Sequence, residues 1–293
     1  MEGQPVTGKL GRAGSRPGRL LRRAATLAGV GAIGLLTACS GQGARFGLPE
    51  AASAEAPNVS SLWIGAWIAS LIIGGLVWGL IGWSVVRYRH KEGVNSAPRQ
   101  TKYHLPLELL YTLVPFLIVG VLFFYTVRSA DAMKSQTPEP DLVIDVIGQK
   151  WSWTFNYNEA DNPAIGVDAH ESGTLEKIPD LYLPVNKTVR INLQSPDVIH
   201  SFWVPSFYYK LDVIPGHPNS MDVTPNKIGV YDGKCAELCG TYHALMLFEV
   251  HVVSEEDYNA YVTQLADSGN EGVIEMPSSL ADTLPQTETE GDQ

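Results

Sequence analysis

Residues 235–246 concentrate soft metal ligands in one short segment. The segment reads Cys235-Ala-Glu-Leu-Cys239-Gly-Thr-Tyr-His243-Ala-Leu-Met246. Thiolate and thioether sulfur are soft ligands and imidazole is intermediate, so this set favours copper over calcium or magnesium. One Cys with His and Met would make a mononuclear blue-copper site, whereas two thiolates can each bridge two metals. The pair of cysteines therefore favours a dinuclear copper centre.

A second imidazole is expected from an earlier strand that returns beside this loop. His200 lies 35 residues before Cys235, within Asp197-Val-Ile-His-Ser-Phe-Trp-Val-Pro205. Two alternatives use the same cysteines: a disulfide, as is common outside the cytoplasm, or a structural zinc site with two histidines. A disulfide does not require His243 and Met246 at this spacing, and zinc gains nothing from Met246. The pattern therefore favours copper.

The loop lies in a segment whose pattern is typical of short β-strands, which we place at residues 135–267. Apolar residues alternate with polar or aromatic ones, and Asn162-Pro163, Pro179-Asp180, Pro215-Gly216 and Asp232-Gly233 mark turns. The predicted strands are Leu142–Ile147, Trp151–Tyr157, Lys187–Gln194, Val198–Val204, Ser220–Thr224 and Met246–Val253. The pattern predicts an all-β sandwich or Greek-key barrel, closed by a helix at Glu255–Leu265 with Ser254 as N-cap. Residues 268–293 are predicted to be an acidic, disordered tail.

Two apolar stretches before this domain predict a transmembrane helix hairpin within residues 61–128. Leu62–Val86 carries no charged residue, and Leu105–Val127 carries only Glu108; each is long enough to cross a bilayer. The loop between them holds five basic residues and one acid. By the positive-inside rule this loop is cytoplasmic, which places the β domain on the extracytoplasmic side of the cell membrane.

The N-terminus has the features of an export signal. Five arginines precede an apolar stretch from Ala24 to Leu36 that is too short to span a bilayer. Leu36-Thr37-Ala38-Cys39 resembles a bacterial lipobox, which predicts a signal peptide over 1–38, lipidation of Cys39 and a linker over 39–60. The alternative is a signal anchor with an incidental cysteine. The lipobox independently places Cys39 outside the cell.

Charge is distributed unevenly along the chain. Residues 128–293 hold 9 Lys/Arg and 26 Asp/Glu, a net charge of −17. Such a surface repels nucleic acid and attracts a basic protein partner. The alternative is that these acids only keep an exposed surface and tail soluble.

The motifs together resemble subunit II of cytochrome c oxidase, over about Leu62 to Tyr261. Cys-x-Glu-x-Cys-Gly-x-x-His-x-x-Met matches that family's dinuclear copper loop, and Lys210-Leu-Asp-Val-Ile-Pro-Gly216 and Gly229-Val-Tyr-Asp-Gly-Lys-Cys235 also match. The resemblance implies a two-helix transmembrane hairpin followed by a Greek-key cupredoxin domain. It further implies the ligands of two copper ions: His200, Cys235, Cys239, His243, Met246 and the backbone carbonyl of Glu237.

The resemblance also implies roles outside the copper set. The Glu237 side chain would point to a magnesium site shared with subunit I. Trp151 falls where the family receives electrons from cytochrome c, and Glu108 falls at the mouth of a proton pathway. Subunits I and III and membrane lipid would be the neighbours. The leader is similar to Gram-positive, actinobacterial members, in which the cytochrome donor is often tethered within a supercomplex.

The chain departs from the family pattern at Gln149-Lys150, Lys234 and His217, which puts the docking surfaces in question more than the copper ligands. Subunit II of a quinol oxidase lacks the copper ligands that are present here. Nitrous oxide reductase carries a second, His-rich metal domain, whereas this chain has seven histidines. A membrane-anchored copper chaperone would need neither Trp151 nor Glu108.

Overall fold

The computed structural model describes residues 41–89, 100–160 and 163–276. The predicted signal peptide, Cys39, most of the basic loop and the tail from residue 277 lie outside the described residues. The chain divides into two units, Met1–Gly47 and Leu48–Gln293. Of the first, the structure describes a 3-10 turn at Gly41–Arg45. The second contains both apolar helices and the β domain.

Two long apolar helices precede the β domain. Helix α1 spans Ala56–Arg87 and α2 spans Leu105–Lys134. Both are long and apolar enough to cross a membrane, and most of their large apolar side chains are exposed, as lipid-facing or partner-facing residues would be. Ser129 Oγ of α2 donates to the carbonyl of Asn58 in α1 at 3.1 Å, which joins the helices at the end nearest the β domain.

The residues before α1 are packed against the β domain. Ala52 is fully buried, and its amide donates to the carbonyl of Ser206 at 2.8 Å. Ser53 Oγ donates to the carbonyl of Phe207 at 3.1 Å. The predicted linker over 39–60 is therefore wrong in its second half, because these short side chains and their backbone pair with the domain before α1 begins.

The β domain is a two-sheet sandwich. The first sheet has the order β3-β2-β1-β5-β8 and the second β4-β10-β9-β6-β7. Only β1–β5 and β4–β10 are parallel among the described strand pairs; the others are antiparallel. The strands are β1 Leu142–Gln149, β2 Ser152–Tyr157, β3 Ala169–Ser172, β4 Asp180–Pro184, β5 Val189–Gln194, β6 His200–Val204, β7 Tyr209–Val213, β8 Asn219–Val223, β9 Gly229–Cys235 and β10 Leu247–Val253.

Alternating side chains from both sheets fill the space between them. Trp153 stands edge-on to Phe202 and to Phe248, with ring centroids 5.7 and 5.4 Å apart. Aromatic pairs of this kind add stability beyond the apolar area that they bury. The aromatic cluster lies under β6 and β9, so it supports the strands that carry His200 and Cys235.

The domain ends differently from the prediction at its C-terminus. Helix α3 spans Glu255–Leu265 with Ser254 Oγ accepting from Asp257 N at 3.0 Å, as predicted. Beyond it, however, the Asn156 side chain exchanges hydrogen bonds of 2.9 and 3.0 Å with the Ile274 backbone. Residues 268–276 are therefore part of the folded domain rather than of a disordered tail. Their acidic, Gly-containing composition concealed this, since the contacts are made by backbone atoms.

Candidate metal centre

Two neighbouring strands and one loop bring the predicted ligands together. His200 is the first residue of β6 and Cys235 the last of β9. These strands pair with Phe202 opposite Cys235, so His200 extends beyond the end of β9. The loop then continues through Cys239 to a short 3-10 turn at His243–Leu245 and returns through Met246 into β10.

Each thiol sulfur contacts one imidazole nitrogen. Cys235 Sγ lies 3.8 Å from His200 Nδ1, and Cys239 Sγ lies 3.5 Å from His243 Nδ1. The two sulfurs are 3.9 Å apart. On either side of the sulfur pair, Met246 Sδ lies 3.8 Å from Cys239 Sγ, and the Glu237 carbonyl oxygen lies 3.2 Å from Cys235 Sγ. All six predicted donor atoms thus belong to one cluster.

The sulfur separation distinguishes among the possible uses of the cysteines. A disulfide requires sulfurs about 2.05 Å apart, and both cysteines are free. Sulfurs 3.9 Å apart can both bond one metal at about 2.3 Å each. A structural zinc site is complete with four Cys and His ligands, whereas here a buried thioether also faces the cluster. The donor set therefore fits soft-metal chemistry and copper best.

The cluster is shielded from water. His200 and Met246 are fully buried, and Cys235 and Cys239 are 5% and 4% exposed. Burial, together with the nearby Cys235, raises the pKa of the Cys239 thiol to about 12. A metal would therefore have to displace a thiol proton on binding, as thiolate-bound metals do. Burial also excludes competing water ligands.

The outer nitrogen of His200 is held by a carboxylate. His200 Nε2 lies 2.9 Å from Asp197 Oδ1, and the Asp197 carboxylate accepts backbone amides of Lys150 at 2.7 Å and Val198 at 2.6 Å. Burial opposes ionisation of Asp197, but these hydrogen bonds lower its pKa overall. Burial lowers the pKa of His200 despite Asp197. A neutral ring that donates from Nε2 leaves Nδ1 free for a metal.

Trp151 lies against the loop in the turn between β1 and β2. Its indole Nε1 donates to the Cys239 carbonyl at 3.1 Å, and its ring stands edge-on to Tyr242 at 5.0 Å. The ring is half-buried. Gly240 has φ of 122° and a Cβ there would lie 3.1 Å from the indole nitrogen, so Gly240 permits the contact.

The predicted strand Trp151–Tyr157 would place Trp151 and Trp153 on the same face, but the structure separates them. Strand β2 begins at Ser152, because the chain is still turning at Trp151. Trp153 is fully buried in the core, whereas Trp151 is half-buried beside the metal loop. The two aromatic side chains were indistinguishable by residue type, and only the hairpin register separates them.

Glu108 lies away from the metal centre, in the first turn of α2. Its Oε1 accepts the backbone amide of His104 at 2.9 Å, while His104 Nδ1 accepts from Leu107 N at 3.3 Å. Reciprocal bonds of this kind stabilise a helix N-terminus. Glu108 is the fourth residue of this helix, which ends at Lys134, so it lies about 39 Å along the axis from the domain end.

Sequence reasoning missed the functions of two neighbours of the ligands. Asp197 was named only as the first residue of the segment that contains His200, yet its contact with His200 follows from the Asp-x-x-His spacing, which the sequence displays. The position of Gly240 under Trp151 has no comparable signal, because the two residues are 89 apart in the chain. The Glu237 side chain is exposed, while its carbonyl faces the cluster.

Comparisons with known proteins agree with this geometry. The family described as cytochrome c oxidase subunit II, periplasmic domain, matches residues 142–253. The chain is 45% identical over 271 residues to a probable cytochrome c oxidase subunit 2 of Streptomyces coelicolor, covering 82% of this chain and 84% of that one. It is 37% identical over 309 residues to cytochrome c oxidase subunit 2 of Mycobacterium tuberculosis, covering 87% and 85%.

The chain belongs to the cytochrome c oxidase subunit II family. It is therefore a subunit of an oxidoreductase, a membrane protein with an extracytoplasmic cupredoxin domain, and the predicted fold class is confirmed. The periplasmic domain of subunit II of the cytochrome oxidase of Bradyrhizobium japonicum is also similar. That crystal structure is 30% identical, with a TM-score of 0.40, covering 45% of this chain and 99% of that one.

Proposed function

We propose that this chain accepts electrons from cytochrome c at a dinuclear copper centre. It passes them to the haem of subunit I, where oxygen reduction is coupled to proton translocation. The observation that carries the proposal is the convergence of two thiols, two imidazole nitrogens, a thioether and a carbonyl within one buried cluster. When bound, the coppers supply a one-electron redox site.

The ligand functions follow from the cluster. Cys235 and Cys239 would together hold the copper ions through their thiolates, because their sulfurs lie side by side. His200 and His243 would bind copper through Nδ1, and the Met246 thioether and the Glu237 carbonyl would be the weaker donors. The β sandwich keeps these atoms in place, and the Asp197 carboxylate orients the His200 ring. A site held in this way should change its geometry little when the bound metal gains or loses an electron.

Trp151 is the residue through which electrons reach the copper centre. Its half-exposed ring and its hydrogen bond to the Cys239 carbonyl support this function, since they connect the surface to a copper ligand. The acidic charge of the domain would attract a basic donor and make association sensitive to salt. The donor is a cytochrome c, either soluble or tethered in a supercomplex.

The exposed Glu237 carboxylate contributes to a magnesium site shared with subunit I. Its backbone carbonyl faces the copper cluster while its side chain is exposed. Oxygen ligands are the ones that magnesium prefers. A single carboxylate is too few for a complete site, so the partner subunit would supply the others.

Both apolar helices cross the cell membrane, which makes the chain a multi-pass protein with subunits I and III and lipid as neighbours. The loop between them is cytoplasmic, and Glu108 lies at the mouth of a proton pathway. A carboxylate near the end of an apolar helix supports this function, although it also stabilises the helix start. Cys39 is the lipidated first residue of the mature chain after removal of the signal peptide over 1–38.

Rapid mixing of reduced cytochrome c with the oxidase complex tests the proposed function. We expect the copper absorption to bleach first and the haem of subunit I to be reduced afterwards. In a Cys239→Ser complex that retains its haem, direct haem reduction should be slow. Haem reduction at the same rate in both complexes would contradict the relay.

A further inference from the structure

Three outward-facing residues on neighbouring strands form a cationic row beside the metal centre. Trp203 on β6 pairs with Lys210 on β7 and with Lys234 on β9. Trp203 is half-buried, while its strand neighbours Phe202 and Val204 face the core. The Lys234 ammonium lies 4.7 Å and the Lys210 ammonium 5.8 Å from the centroid of the Trp203 ring. We call this set the Lys–Trp–Lys row.

The two lysines of the row lack the carboxylate partners that three other lysines of the domain have. Lys177, Lys187 and Lys227 each form a salt bridge. Among the residues that the structure describes, none forms a salt bridge with Lys210 or Lys234. The row is a local excess of positive charge in a segment with 9 basic and 26 acidic residues.

The row borders the copper ligands directly. An open cavity of about 420 Å³ is lined by its three residues together with Cys235, Ala236, His243, Ala244 and Leu247. A group that fills this cavity would contact the row and the ligand His243 at the same time. The occupant would therefore lie in direct contact with two residues of the proposed copper centre, Cys235 and His243.

The row lies on the side of the metal centre that faces the membrane. Strand β6 starts at the ligand His200 and continues through Trp203 into a turn at Pro205–Phe207. In that turn the Ser206 carbonyl accepts from Ala52, just before α1 begins. Trp203 is three residues from His200, a distance of about 10 Å along the strand.

We propose that the Lys–Trp–Lys row docks a carboxylate-bearing surface of the membrane subunit that carries the haem. This inference rests on the proposed function. Two unpaired ammonium groups complement carboxylates and repel a basic donor, so the domain would separate its two partners by charge. A lipid phosphate has suitable charge, but a lipid in the cavity would insulate His243 from the electron acceptor.

Charge reversal in the complete oxidase tests the docking surface. The variant is Lys210→Glu together with Lys234→Glu, with Lys210→Gln and Lys234→Gln as a milder pair. Lys187→Glu is the control for charge reversal away from the row, since Lys187 is partly exposed and its surface salt bridge with Glu255 contributes little to stability. For each complex we would measure copper per chain, haem retained after washes of rising salt concentration, and the rate of electron transfer from copper to haem.

We expect both double variants to keep their copper. In the charge-reversed complex, copper-to-haem transfer should slow by about tenfold or more, or haem should be lost at lower salt than in the wild type. The neutral double variant should have a copper-to-haem transfer rate between those of the charge-reversed complex and the wild type. Lys187→Glu should transfer electrons at the wild-type rate.

Unchanged haem retention and unchanged transfer in the reversed complex would overturn the docking surface. A defect confined to the affinity for the cytochrome donor would also overturn it. So would a defect that appears only when the complex is reconstituted with anionic lipid. Absence of copper from the wild-type complex would instead refute the proposed function, so the two failures are distinguishable.

Discussion

At the scale of single residues, further contacts hold the side chains of the candidate metal centre in place. The Asp197 carboxylate holds the outer nitrogen of His200 and is itself fixed by two backbone amides. The Trp151 indole is fixed by the carbonyl of a ligand residue, Cys239. These contacts fix the orientation of the side chains around the cluster. Each contact can be tested without removing a predicted ligand.

Asp197→Asn should weaken copper binding while leaving the ligands in place. The amide oxygen can still accept from His200, but the negative charge that makes the imidazole a stronger donor is lost. Removal of such a partner typically costs about 10–100-fold in metal affinity. Competition with a copper chelator measures the change, and Asp232→Asn, an exposed acid on β9, is the matched control. Equal copper affinity in both variants would show that Asp197 is not a ligand-orienting residue.

Trp151→Gln should slow electron arrival without disturbing the copper. Gln keeps an N–H donor for the Cys239 carbonyl but removes the aromatic ring, so the copper spectrum should be unchanged. We expect the rate of electron transfer from cytochrome c to fall by about tenfold or more, about 1.4 kcal/mol of barrier. Stopped-flow measurement with Tyr242→Phe as control decides this. Loss of copper or of folding in the variant would make Trp151 a structural residue.

At the scale of elements, the strands place ligands that are far apart in sequence. The sequence predicted the residues that the structure brings into one cluster, both apolar helices and α3, because metal motifs, apolar length and caps are local patterns. It did not predict β3, β4, β7 and β9, and the Asp232-Gly233 pair that was expected to form a turn lies within β9. It also misplaced the start of β2 at Trp151 and the end of the domain at 268. Those boundaries depend on strand register and on backbone contacts between distant residues, such as Asn156 with Ile274.

The C-terminal segment after α3 should contribute to stability. A chain that ends at residue 268 loses both Asn156–Ile274 hydrogen bonds and the bond from Gly272 N to the Asp168 carbonyl. At about 1 kcal/mol each, this lowers the free energy of unfolding by about 3 kcal/mol. A chain that ends at 276 is the control and should unfold like the full chain. Urea titration of both compares them; equal midpoints would mean that the segment is not part of the fold.

At the scale of the whole molecule, the chain connects three environments. Under the proposed function, the cupredoxin domain holds the metal outside the membrane and the helices cross the bilayer, while Glu108 lies about 39 Å from the domain end of α2. The acidic domain surface and the Lys–Trp–Lys row have opposite charge. The proposed function thus assigns electron arrival, electron departure and proton uptake to separate parts of one chain.

Glu108→Ala should separate proton supply from copper chemistry. If Glu108 conducts protons, oxygen consumption should fall by about tenfold or more, while copper content and electron arrival stay unchanged. Glu108→Asp keeps the carboxylate and should retain more activity. Ser129→Ala, at the other end of α2, is the control. Unchanged oxygen consumption in Glu108→Ala would leave Glu108 only as a stabiliser of the helix start through His104.

The central claim is that the buried cluster of His200, Cys235, Cys239, His243, Met246 and the Glu237 carbonyl holds two coppers. Copper quantification together with electron paramagnetic resonance on the purified full-length chain tests it most directly. We predict two coppers per chain and a spectrum of one unpaired electron shared equally by two copper nuclei, both lost in Cys235→Ser. One copper per chain with a single-nucleus spectrum, or no copper with a Cys235–Cys239 disulfide, would contradict it.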